Sequence, residues 1–416
     1  MPEQPEPTES VTPTDTAVSA PRLPLSGLRV LDIATMAAAP WAAAYLAEFG
    51  ADVIKVEHPA TGDHQRKWGT PKNGEGLFWK SMGRNKRSVT LNLGKPAGAA
   101  VFKRMAAEAD VVIENFRPGT LERWGIGPDV LLALNPRLII LRITGFGQTG
   151  PYRERPGFGT LAESLTGFAH LTGQEDGPPT LPNMPLADGL AGVTGAYAVM
   201  LALYHRDANG GAGQVIDLSL CEPLLRLVEP SLMDYDQFGI GRGRIGNRSD
   251  HVAPRSAYQC GDGRWVALSA SAAPIFTRLA HAMDQPELAT DPRFHDNAAR
   301  LEHHTALDAI IGGWMAQHPR DEVLARMEQF EVAVAPIYDI PEVFADPQFQ
   351  ARESFATVQD PVLGPMRLVN VVPRLSATPG RVTSTGPTLG QHNAEVYHAL
   401  GLSDDEIAAL HEQGVM

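Results

Sequence analysis

Short β-branched runs and amphipathic stretches alternate along the chain from Leu28 onward. Leu28-Arg29-Val30-Leu31-Asp32-Ile33 predicts a strand, the Ala-rich residues 38–49 a helix, and Ala51-Asp52-Val53-Ile54-Lys55-Val56-Glu57 a second strand. Strand, helix and strand in that order make a βαβ unit, the opening of a parallel sheet. The pattern continues with a strand over 88–93, a helix over 97–109, and buried strands at Val111-Val112-Ile113-Glu114 and over 138–143. This alternation predicts a doubly wound α/β fold. A long apolar run, 190–204, then predicts a helix, and Asp207-Ala208-Asn209-Gly210-Gly211-Ala212-Gly213 a turn into a strand over 214–220.

The texture changes near Glu222. Two short strands, 256–260 and 265–269, flank the turn Asp262-Gly263-Arg264, and helical patterns cover 273–283 and 305–317. Residues 222–329 therefore read as a smaller α+β domain, after a large domain over 25–221. Residues 332–337 read as a return to a sheet, and 403–413 as a capped amphipathic closing helix. Residues 1–24 are rich in Pro, Glu and Thr. They lack the basic start and apolar centre of a secretion signal, and read as a disordered tail.

Composition narrows the function classes. With 43% hydrophobic and 20% charged residues, the 416-residue chain has the makings of an ordinary globular protein. No apolar run reaches the length of a membrane span, so no membrane partner is expected. A net charge of −13 argues against nonspecific nucleic-acid binding. Two cysteines, Cys221 and Cys260, build no disulfide framework and point to a reducing cytoplasm. The 13 histidines are scattered, with one adjacent pair, His303-His304, and no metal site is expected.

The first βαβ unit invites a dinucleotide reading, with Glu57 closing its second strand. That fingerprint needs glycines at the first turn, where a pyrophosphate meets the backbone. The turn here is Ala34-Thr35-Met36-Ala37-Ala38-Ala39-Pro40, which lacks them. Phosphate loops of the Gly-Lys-Ser/Thr kind, HExxH motifs and GxSxG elbows are also missing.

Candidate chemistry gathers in four segments. Asp188, in Met184-Pro185-Leu186-Ala187-Asp188-Gly189, heads the long apolar helix. It suits a helix cap, and equally a carboxylate nucleophile kept ionised by the helix dipole. Arg84-Asn85-Lys86-Arg87-Ser88 offers three cations just before a strand. Glu114-Asn115-Phe116-Arg117-Pro118-Gly119, with Arg123 beyond, follows a buried strand, and Gly145-Phe146-Gly147-Gln148-Thr149-Gly150-Pro151 follows the next. Open α/β sheets bind ligands at such carboxyl ends. The local cations suit a ligand carrying several phosphates.

Taken in order, Asn85-Lys86-Arg87-Ser88, Glu114 to Gly119, Gly145-Phe146-Gly147-Gln148 and Leu186-Ala187-Asp188 resemble the family III CoA-transferases, the CaiB/BaiF family. Gly50 to Glu57, Asp176-Gly177-Pro178-Pro179, Asp291-Pro292-Arg293-Phe294 and Leu389-Gly390-Gln391-His392 extend the likeness from about Leu25 to the C-terminus. The resemblance implies a Rossmann-like large domain with a parallel sheet, completed by residues 330–416, and a small inserted domain. It also implies an interlocked homodimer and a CoA-transferase activity on acyl-CoA and carboxylic acid substrates, with CoA as substrate and no permanently bound cofactor. The family's catalytic aspartate falls on Asp188. Its CoA-contacting positions fall on Met36, Ala37, His58, Leu91, Asn92, Lys95, Asn115, Phe116, Arg117, Arg123, Arg155 and Phe158. Ala37 and His58 depart from the formyl-CoA type, which has Gln and Arg there.

The same family includes 2-methylacyl-CoA racemases, which pair that aspartate with a histidine thirty residues earlier. Here that position is Phe158, which carries no proton, and His170 is twelve residues further on. Transfer through an aspartyl-CoA thioester is thus the expected reaction, with racemisation or CoA binding without catalysis as alternatives. Gly241-Arg242-Gly243-Arg244-Ile245-Gly246-Asn247-Arg248 is either a basic surface loop or a lid whose arginines meet a substrate carboxylate. Glu163 is either a structural helix carboxylate or a second functional one.

Overall fold

Six strands form one fully parallel sheet: β1 (Arg29–Asp32), β2 (Asp52–Glu57), β3 (Lys86–Thr90), β4 (Val111–Glu114), β5 (Ile139–Thr144) and β6 (Val215–Ser219). The structure, a computed structural model, describes residues 22–416. Residues 1–21 of the expected tail lie outside the described residues, while Leu23 within it packs against Gly50. The strand order is β3-β2-β1-β4-β5-β6. It reverses between β1 and β4, which opens a crevice at the carboxyl ends of those strands.

The period-two pattern of the strands divides the core into two faces. Val30, Val53, Val111, Ile113, Ile139, Leu141 and Ile143 join one cluster with the helices α1 (Ala39–Glu48) and α4 (Leu186–Ala208). Leu31, Ile54, Val56, Val112 and Ile140 face the other way, against α2 (Pro96–Ala107) and the C-terminal residues Tyr397 and Val415. Small residues set how closely α1 and α4 approach. A Cβ at Gly192 would stand 2.8 Å from the Trp41 Cβ and 3.0 Å from the Ala38 carbonyl oxygen. Between these lie the short α3 (Gly159–Leu165) and, after β6, the long α5 (Cys221–Phe238).

The helix α4 overturns one expectation. Its 23 residues are long and apolar enough to cross a membrane by length and composition alone. It packs on α1 and β5 and carries Asp188 in its first turn.

The second unit has its own core, built from Phe276, Leu279, Leu307, Ile311, Met315 and Val323 around an antiparallel sheet. That sheet holds β7 (Arg255–Gln259), β8 (Trp265–Ser269) and β9 (Val334–Pro336). Residues 332–337 thus do reach a sheet, but the small one, which extends past residue 329. The helix α5 packs on α3 and α4 instead. The chain then returns to β3. The Tyr397 hydroxyl donates to the Thr90 carbonyl at 2.8 Å, and the Asn92 N–H donates to the Val415 carbonyl at 2.7 Å. The closing helix, Asp404–Glu412, has a capping box between Ser403 and Glu406.

Candidate active site

The turn after β1 does without glycine. Met36 and Ala38 hold φ of 66° and 56°, a region costly for residues with a Cβ. Side chains from three strands and two loops hold it there. Asn115, after β4, accepts from the Thr35 N–H at 2.8 Å and donates to the Thr35 carbonyl at 2.6 Å. Asp63 accepts from the Met36 N–H at 3.0 Å, and Asp32 from the Ala34 N–H at 3.2 Å. Both carboxylates are paired with lysines from β2 and β3. Lys55 lies 2.9 Å from Asp63 and 3.5 Å from Asp32, and donates to the Ala34 carbonyl; Lys86 lies 2.8 Å from Asp32. All four groups are buried, so each charge depends on its partners. Burial pushes Lys55 down, yet the carboxylates beside it hold it above the ordinary lysine range.

Beside this turn lies a cleft of about 720 Å³, lined by Met36, Ala37, Asn115, Phe116, Arg117 and, across from them, Asp188, among others. The loop after β5 closes one side, where Gly145 and Gly157 meet backbone to backbone. A Cβ on either would stand 2.5 Å from the other's Cα, so glycine is required at both.

Asp188 is the third residue of α4, not its cap. The cap position belongs to Pro185, and the Ala187 N–H is taken by a Glu163 oxygen at 3.1 Å. The carboxylate of Asp188 instead projects over Gly159, where a Cβ would come within 2.3 Å of its Oδ2. Its own backbone N–H donates to it, which holds its pKa down somewhat, and among the described residues no cation pairs with it. Burial, and secondly the charge of Glu163, push its pKa up to about 6. Near neutral pH it is therefore mostly ionised, yet more basic than an ordinary Asp. Glu163 is 3% exposed and lines the same cleft.

The model of CoA-transferase family III matches residues 25–393. The chain belongs to that family. The succinyl-CoA–D-citramalate CoA-transferase of Chloroflexus aurantiacus is 46% identical over 95% of this chain and 99% of its own length. The succinate–glutarate CoA-transferase of Agrobacterium fabrum is 36% identical over 90% and 94%. A CaiB/BaiF family protein from Brucella suis superimposes with a TM-score of 0.81 at 34% identity, over 91% of this chain and all of that one. The protein is a CoA-transferase of mixed α/β fold.

Of the thirteen positions the resemblance implied, Asp188, Met36, Ala37, Asn115, Phe116, Arg117, Arg155 and Phe158 line the one cleft. Arg155 stacks its guanidinium 3.7 Å over the Tyr152 ring, and Phe158 is 58% exposed. His58, Leu91, Asn92, Lys95 and Arg123 do not line it. Asn92 reaches the His58 ring at 3.3 Å, Lys95 donates to the Gln413 carbonyl, and Arg123 donates to the Thr120 hydroxyl at 2.9 Å. Leu91 is core. Trp124 links the two groups. Its ring lies 5.0 Å from that of Phe116, and its indole nitrogen would lie 3.4 Å from a Cβ on Gly94. Nothing in the apolar pattern around Trp124 distinguishes it from core. Thr35, Trp68, Arg153 and Asn183 of the cleft are equally unmarked in the sequence, since none belongs to a motif.

Charge pairing engages the arginines and lysine of two basic segments away from the cleft. The cations Arg84, Lys86 and Arg87 do not meet the cleft: Arg84 pairs with Glu48 at 2.7 Å, Lys86 with Asp32, and Arg87 with Asp52 at 2.6 Å. Nor does the segment 241–248 line it. Arg242 pairs with Asp234 at 2.7 Å and Arg248 with Glu175 at 2.7 Å, while Arg244 donates to the carbonyls of Gly177 and His170.

Proposed function

We propose that this CoA-transferase moves CoA from a dicarboxylic acyl-CoA of the succinyl class to a second carboxylic acid, through an aspartyl-CoA thioester on Asp188. Asp188 itself carries the reading: a half-buried carboxylate in the cleft, paired with no cation among the described residues and raised to about 6. Its oxygen attacks the donor thioester carbonyl, giving a mixed anhydride and the CoA thiolate. The thiolate attacks the aspartyl carbonyl, which forms the aspartyl thioester and releases the donor acid. The acceptor carboxylate then attacks that thioester, and the returning thiolate regenerates Asp188 and leaves the new acyl-CoA.

The relatives named for succinyl-CoA, D-citramalate and glutarate support the substrate class. So do Arg117, Arg153 and Arg155, three cations lining the cleft. The line from Arg117 past Phe116 and Trp124 to Asn92 and Lys95 offers a course for the long CoA arm. The racemase alternative loses support, because no histidine is among the cleft residues and Phe158 holds the relevant place. During turnover, hydroxylamine should convert Asp188 to its hydroxamate, and Asp188→Ala should remain folded while losing transfer by about a thousandfold or more. A folded Asp188→Ala protein with near-normal transfer would overturn the nucleophile.

We also infer an interlocked homodimer. Val193, Tyr197, Leu201 and Tyr204 on α4, and Leu227, Met233, Tyr235 and Phe238 on α5, are each more than half exposed, an apolar area unusual for a lone chain. Light scattering should give twice the chain mass; a monomer would refute it.

A further inference from the structure

Glu163 is the buried carboxylate that the transfer chemistry leaves unused. It sits on α3, one turn beyond Gly159, and is 3% exposed. One oxygen accepts from the Ala187 N–H at 3.1 Å, and no cation pairs with it among the described residues. An isolated buried carboxylate is expensive, by several kcal/mol in general, so a single backbone donor does not explain its place as packing alone. Its position does suggest a task. The first turn of a helix has free N–H groups, and a carboxylate that accepts from one of them fixes that turn in place. At α4 Glu163 satisfies the Ala187 N–H, next to Asp188, and so ties down the turn from which the Asp188 carboxylate stands over Gly159.

We propose, building on the nucleophile reading of Asp188, that Glu163 is its positioning residue: it caps the first turn of α4 at the neighbouring Ala187 N–H and sets its negative charge beside Asp188, fixing where that carboxylate stands for attack. The charged groups lining the cleft are Glu163, Arg117, Arg153 and Arg155. Of these, Glu163 is the one whose charge acts on Asp188, adding to burial in making it more basic. A more basic carboxylate is the better nucleophile, provided it remains ionised at working pH.

Glu163→Gln separates the two parts, because its amide oxygen still accepts from Ala187 while the charge is gone. Its pH–rate profile should keep the shape of the parent's, with the acidic limb moved down by about one pH unit. Its kcat should fall by no more than about tenfold, with KM for the acyl-CoA unchanged. Glu163→Leu removes charge and cap together, and should show the same limb with a larger loss of kcat and slower hydroxamate formation at Asp188. A folded Glu163→Gln enzyme whose acidic limb stays in place, or whose loss is all in KM, overturns the proposal. Absence of hydroxamate in the parent enzyme would instead strike the nucleophile reading, independently of any Glu163 result.

Discussion

Asp32 and Asp63, which brace the turn after β1, and Asp188 and Glu163, which line the cleft, are carboxylates removed from water in contrasting company. The first two share Lys55 and Lys86, so two negative and two positive charges nearly cancel inside the fold. Asp63 is held below its ordinary range: burial alone would raise it, but Lys55 and the N–H groups of Gln65 and Met36 outweigh that. The second two share the cleft without a paired cation among the described residues, and Asp188 is raised to about 6. Balanced charge makes a scaffold: the pairing holds Asp63 down and Lys55 up, although burial pulls Lys86 below the ordinary lysine range. Unbalanced charge makes a more basic carboxylate, at some expense in stability.

The contrast breaks most visibly if the balanced set loses one member. Lys86→Met leaves Asp32 with Lys55 alone in a buried place, and should cost about 3–5 kcal/mol, read as a lower urea midpoint. A loss within about 0.5 kcal/mol would mean that the cluster is already wet or unneeded.

Gly159→Ala tests the cleft by shape rather than charge. The new methyl would stand 2.3 Å from the Asp188 oxygen and must displace it. A displacement of about 1 Å costs about a hundredfold in turnover, with melting temperature little changed. Unaltered kcat would show that Asp188 does not need to lie over Gly159 during reaction.

The smallest effect has a sign opposite to that of an ordinary helix cap. Because Asp188 has a raised pKa in the fold, its ionised form opposes folding. That penalty is absent below about pH 3.8, the unfolded value, and complete above about pH 6. A tenfold change in proton affinity on folding corresponds to about 1.4 kcal/mol. The group is half-buried, and solvent screening reduces the whole to about 1–2 kcal/mol. Asp188→Asn should therefore be more stable than the parent by about that amount at pH 8, and no more stable at pH 4. A destabilised variant at pH 8 would restore the capping role.

Much of this molecule is legible before it folds. The strands of the large sheet appear as β-branched runs whose alternation matches the two core faces, and strand boundaries shift by only a residue or two at β1, β2 and β5. The motif after β4 and the Leu186-Ala187-Asp188 block lead directly to the cleft. The failures share a cause. Arg84, Lys86 and Arg87 look like a phosphate site in one dimension, because their partners Glu48, Asp32 and Asp52 lie more than thirty residues away. Residues 332–337 read correctly as strand, but their partner β8 is some seventy residues back, so the choice of sheet was open.

By itself, the sequence determined the local conformations, the faces that turn inward, and the position of the one carboxylate at the head of a long apolar helix. Those follow from side-chain period and helix-end chemistry, which act over a few residues. Only the tertiary structure decided which charges cancel and which do not. An ionisable group's state depends on burial and on neighbours within a few ångströms, whatever their distance along the chain. So Lys86 became part of a buried scaffold, Glu163 became the cap of another helix, and Asp188, one residue past the capped N–H, faces the cleft.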